Sequence, residues 1–94
     1  MKDLTEIRRE LDQVDQEIVA LFEKRMMLAA QVAQYKMNAG MPVLDRSREE
    51  AVLHSRANML QDPRLAEDVR ELFECLMTLS RREQEQLMKE AGIC

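Results

Sequence analysis

From Leu4 to Tyr35 apolar residues return in alternating steps of three and four: Leu4, Ile7, Leu11, Val14, Ile18, Leu21, Leu28, Val32 and Tyr35. A helix of 3.6 residues per turn keeps such positions on one stripe, so the spacing predicts a heptad seam. Arg25 occupies a slot of that stripe and alone breaks its apolar character. No Gly or Pro interrupts the run. A helix over about 4–38 would be on the order of 50 Å long. In so small a chain, a rod of that length leaves much of its seam bare. It needs a partner.

Asn38-Ala39-Gly40 followed by Pro42 is a stop signal, since Gly accepts the left-handed cap and Pro cannot continue a helix. A second helix is expected over about 46–60. Either Asp45 caps it, or Ser47 does with Glu50 closing a capping box. Asp62-Pro63 repeats the cap-then-Pro signature and opens a third helix over about 63–91, before Gly92. Its apolar face includes Leu65, Val69, Leu72, Phe73, Leu76, Met77 and Leu87. The expectation is an all-α single domain over residues 1–94, with three helices that pair with a second copy as a homodimeric helical bundle.

Composition sharpens this picture. Hydrophobic residues make up 46% of the chain but aromatic ones only 3%, and two Gly and two Pro leave little material for turns. That balance favours helix over strand. The net charge of −4 speaks against nucleic acid as the main partner, which needs a concentrated positive surface. No apolar run approaches the roughly 20 residues of a membrane span, and Met1-Lys2-Asp3 does not open a signal peptide. Cys75 and Cys94 form no metal-ligand pattern. Cys75 reads as ordinary core packing, and a reducing cytoplasm is the simplest compartment.

The candidate chemistry lies where polar residues stand in apolar places. Arg25 in a core slot loses hydration and must find an anion. That anion is either a carboxylate of another helix or a ligand. Lys36 follows about three turns and roughly 16 Å later on nearly the same face; alone it reads first as a solvated helix-end lysine, and only second as a ligand group. The line Phe73, Met77, Ser80, Gln84, Leu87 sets two hydrogen-bonding groups where apolar ones are expected. They face either solvent or an internal cavity. Arg48 and Glu49 add a cation and a carboxylate at the start of the second helix, where surface charge is routine. Arg8 stands about 25 Å from Arg25 and about 42 Å from Lys36 along the rod. No small ligand spans that distance. An antiparallel pairing with a twofold axis near Ile18 to Leu21 would bring Arg8 of a second copy to the Leu28–Lys36 region.

Arg8, Arg25, Lys36, Asp45, Arg48, Glu49, Ser80 and Gln84, taken in order, resemble the active site of the all-helical chorismate mutase family. The likeness includes the Ile-Arg-Arg-Glu-Leu opening, Pro42-Val43 in the first linker and the Asp-x-x-Arg-Glu start of the second helix. It implies rearrangement of chorismate to prephenate, on the route to phenylalanine and tyrosine, in an interlocked homodimer with two sites. It implies that Arg8 visits from the partner and, with Arg25, binds the substrate's carboxylates. Lys36 and Gln84 would donate to the ether oxygen as the catalytic pair, Lys36 also touching a carboxylate. Glu49, with the backbone near Asp45, would hold the ring hydroxyl, and Arg48 and Ser80 would support the carboxylate end.

The resemblance implies no metal and no cofactor. An intramolecular pericyclic shift needs no nucleophile or proton shuttle, and His54 stands alone in the sequence. An isochorismate-pyruvate lyase on the same scaffold would bind a similar dianion and is one rival. A non-catalytic helical dimer, whose heptads are only an interaction seam, is another. A helix-turn-helix DNA binder fits the acidic balance least.

Overall fold

The computed structural model describes residues 1–92 and contains three helices, with no strand among those residues. The all-α expectation therefore holds. The long helix α1 runs Leu4–Ala39, α2 runs Arg46–Asn58, and α3 runs Ala66–Glu90, preceded by one tight 3-10 turn at Pro63–Leu65.

Local chemistry sets these boundaries. The Asp3 carboxylate accepts from the Glu6 amide at 2.9 Å and starts α1. Gly40, at φ 68°, ends it with its own amide on the carbonyls of Lys36 and Met37, in the left-handed conformation Gly reaches at least cost. Of the two caps weighed for α2, Asp45 serves, accepting from the Arg48 amide at 3.0 Å. Asp62 accepts from the Arg64 amide at 3.0 Å with Pro63 at the first helical position. That cap opens the 3-10 turn, and α3 proper starts three residues later than the Asp62-Pro63 signal suggests.

Helix α3 packs against both α1 and α2. The side chains buried between the helices are small or unbranched: Ala29 and Ala33 of α1, Val52 of α2, Met77, Gln84 and Met88 of α3. Ala33 is completely buried, which lets the α1 backbone approach α3 closely. Among the described residues no large side chain is fully buried. A chain this long ordinarily needs more core than that to stand alone.

The missing core is on the surface. Residues 1–21 are all exposed, and Leu4, Ile7, Leu11, Val14, Ile18 and Leu21 lie open along the seam of α1. The molecule measures 56 × 25 × 14 Å, with a radius of gyration of 16.8 Å. A compact domain of about 100 residues has a radius near 13 Å, so the free half of α1 extends well beyond the body.

Cys75 departs from the expected core role: it is exposed. It lies two residues, about 200° of helix rotation, from buried Met77, and so on the opposite side of α3. Leu65 and Leu72, expected on the apolar face, are exposed as well. Cys94 lies outside the described residues. No described helix is long and apolar enough to cross a membrane.

Candidate active site

A cavity of about 300 Å³ opens where the rear of α1, the first turns of α2 and the middle of α3 converge. Its apolar wall is built by Leu28, Ala29, Val32, Val52 and Met77. Its polar wall contains Arg25 and Lys36 from α1, Asp45, Arg48 and Glu49 from the start of α2, and Ser80, Arg81 and Gln84 from α3. Seven of the eight residues singled out from the sequence thus meet in one place. Arg8 does not: it sits on the free, exposed part of α1.

The charges here run against the rest of the chain. Four cations and two carboxylates line the cavity, leaving it positive in a molecule of net charge −4. Arg25, half-buried, makes no salt bridge among the described residues. The carboxylate partner contemplated for it is therefore not supplied by this chain's described residues. Its guanidinium instead lies 5.9 Å from the centre of the Phe73 ring, and Arg56 lies 6.0 Å from the same ring. Burial, with the positive charges of Arg56 and Arg48, pushes Arg25 below the usual arginine value. Burial and like charge both penalise the cation, and a bound anion would offset both.

Lys36, half-buried in the last turn of α1, donates to the Val43 carbonyl at 2.6 Å. That bond ties the helix end to the linker and leaves the ammonium two more donors. Asp45 is committed to its cap, so its carboxylate points back at the α2 backbone. Glu49 is held by Arg81, whose guanidinium nitrogen donates to both carboxylate oxygens. Gln84 is 5% exposed and donates from Nε2 to the Ser80 hydroxyl at 3.1 Å, one turn away. Its Oε1 has no partner, an expensive condition for a buried polar atom. Rotating the amide half a turn would place Oε1 on the Ser80 hydroxyl and free Nε2 as a donor.

Arg81 is the site residue that the hydrophobic pattern does not reveal. It stands about 100° around α3 from Ser80, off the Ser80–Gln84 line, and adjoins Arg82 in what reads as a solvated flank. His54 is exposed on α2, within 3.2 Å of the Asn58 amide, and does not line the cavity.

The sequence profile of chorismate mutase type II matches residues 7–85, the span that carries the whole cavity and the free seam from Ile7 onward. The chain belongs to that family. Against the chorismate mutase of Methanocaldococcus jannaschii it is 28% identical over 91 residues, covering 96% of this chain and 92% of that protein. The T-protein of Haemophilus influenzae is 39% identical over 56 residues, 60% of this chain but 15% of the T-protein. A T-protein of Enterobacter agglomerans is 35% identical over 71 residues, 71% of this chain and 19% of its own length. The chain thus spans nearly all of one relative and less than a fifth of the other two. No solved structure matches it.

Proposed function

We propose that this chain is a chorismate mutase, converting chorismate to prephenate in phenylalanine and tyrosine biosynthesis. The observation that carries the reading is the cavity itself: an excess of unpaired cations around a buried, half-satisfied Gln84 amide. Such a lining suits a dianion bearing an ether oxygen.

The chemistry asks for little more. In a Claisen-type rearrangement one C–O bond breaks as one C–C bond forms, inside one molecule. Holding the enolpyruvyl arm over the ring supplies proximity. Donors fixed at the ether oxygen stabilise the negative charge that grows there. Lys36 and Gln84 fill that role, with Gln84 in the rotated orientation that Ser80 can anchor. Arg25 takes one carboxylate, Arg48 supports the carboxylate end while the single Ser80 proton goes to Gln84 Oε1, and Glu49 with the backbone near Asp45 accepts the ring hydroxyl.

The site is completed by a second copy. The exposed seam of α1 and the thin core of one chain both favour a twofold dimer, with its axis near Ile18 to Leu21. In that arrangement α1 helices run antiparallel and Arg8 of one protomer reaches the carboxylate end of the other's cavity.

Product identification tests the activity. Purified protein given chorismate is expected to yield prephenate, while isochorismate should yield no salicylate and pyruvate. Consumption of isochorismate with release of pyruvate would move the assignment to a lyase. Consumption of neither would leave only an association seam.

A further inference from the structure

The Arg81–Glu49 pair joins two helices through residues 32 positions apart, in the lining of the cavity that the functional reading fills with substrate. Both side chains are partly buried, at 29% and 23% exposure. At the other end of the guanidinium, Nη2 donates to the Thr78 hydroxyl at 3.3 Å, and that hydroxyl donates to the Glu74 carbonyl at 2.9 Å. Arg81 is thus anchored on its own helix and reaches across to α2. An ionised carboxylate offers about four acceptor directions. Arg81 occupies one on each oxygen and leaves the remainder to a ligand.

We propose that Arg81 is a positioning residue: it fixes the orientation of the Glu49 carboxylate as the acceptor for a hydroxyl group of the ligand in this cavity. The inference rests on the proposed chorismate mutase reading and adds to it a device for recognising the ring hydroxyl. Without Arg81 the Glu49 side chain regains its rotamers, and the ordering cost falls on substrate binding. The bond is made in ground state and transition state alike, so its loss should appear in KM rather than kcat.

The test compares wild type, Arg81→Met, Arg81→Lys, Glu49→Gln and the Arg81→Met/Glu49→Gln double variant with chorismate as substrate. Arg81→Met is expected to raise KM about tenfold, the scale of one hydrogen bond to a charged group, with kcat within about twofold. Arg81→Lys should recover most of that loss, because an ammonium also reaches a carboxylate. In the Glu49→Gln background, Arg81→Met should move KM less than about twofold, since the group it acts through is already altered. Arg81→Gln, which keeps a neutral donor, replaces the Met variant if thermal melting finds the latter unfolded; an intermediate KM is expected. An unchanged KM in Arg81→Met, or losses that simply multiply in the double variant, would overturn the role while leaving the activity assignment intact. A wild-type protein that does not consume chorismate would overturn both.

Discussion

The two halves of α1 share one heptad stripe, open along its length from Leu4 to Tyr35, but only the rear half packs a second face on the body. In the rear half Ala29 and Ala33 are buried against the body, and Arg25 and Lys36 line a cavity. In the front half Ile18 remains 57% exposed, and Leu11 and Leu21 are similarly open. The difference is one of residue size and of what lies opposite. Alanines let α3 approach the rear half, whereas the front half presents Leu, Ile and Val with nothing of its own chain against them. Burying each such side chain would stabilise an assembly by about 1.5–3 kcal/mol. A hydrophobic stripe therefore reports that a surface will be covered, and leaves open by whom.

Breaking the front half should have the largest effect. Ile18→Glu sets two carboxylates near each other across the proposed twofold axis, in a seam meant to be dry. The variant is expected to sediment as a monomer and to lose more than about a hundredfold in activity, because each site then lacks both Arg8 and the enclosure that makes orientation effective. A monomer that keeps full turnover would show that the rear half works alone.

A second experiment joins the halves. Arg8→Ala damages the front of α1 and Lys36→Ala the rear, and each alone should be nearly inactive. Losing one ether-oxygen donor typically costs about 3 to 4 kcal/mol. Unfolded and refolded together, the two variants form mixed dimers in which one site collects both lesions and the other none. Random pairing should restore about one site in four. No recovery, with mixed dimers demonstrated by mass spectrometry, would mean that Arg8 and Lys36 serve a site on the same chain or on separate sites.

A third sharpens the chemistry of the rear half. Gln84→Glu replaces an amide that donates at any ordinary pH by a carboxyl that donates only when protonated. At neutral pH the expected loss of turnover is on the order of a hundredfold, easing as the pH falls and the acid form grows. A pH–rate profile parallel to that of wild type would remove Gln84 from the ether oxygen.

The same contrast explains what sequence alone could reach. Helix class follows from an uninterrupted heptad run and from short side chains that cap, such as Asp45 and Asp62, because those interactions join residues close in the chain. Arg25, Ser80 and Gln84 stand out because each is polar on an apolar line, and Lys36 because it follows Arg25 by about three turns on nearly the same face. Arg81 broke no periodicity, and its bond to Glu49 depends on how α2 and α3 cross. Cys75, expected in the core, is exposed for a related reason: it shares the side of α3 that carries exposed Leu72, turned away from buried Met77. The seam predicts that α1 is covered, while Arg8 is singled out by the family resemblance alone; the distance along the rod adds that it would have to come from a second copy.

The smallest effect is expected far from both halves, at the Asp62 corner between α2 and α3. Asp62 accepts from the Arg64 amide and from the Arg64 guanidinium at 2.9 and 3.1 Å. The side-chain bond first, and the backbone bond second, hold its carboxyl below the ordinary carboxylate range. A group lowered on folding stabilises above its unfolded pKa, and that contribution disappears as the pH falls through the folded value. Asp62→Asn should therefore lower Tm slightly at neutral pH, and the gap to wild type should narrow as the pH falls well into the acid range. The pair is exposed and screened by water, so the neutral-pH gap should be small and should shrink further in salt. Dimer dissociation and kcat should not move. A change in either would mean that the corner, which touches neither the seam nor the cavity in one chain, meets one of them in the assembly.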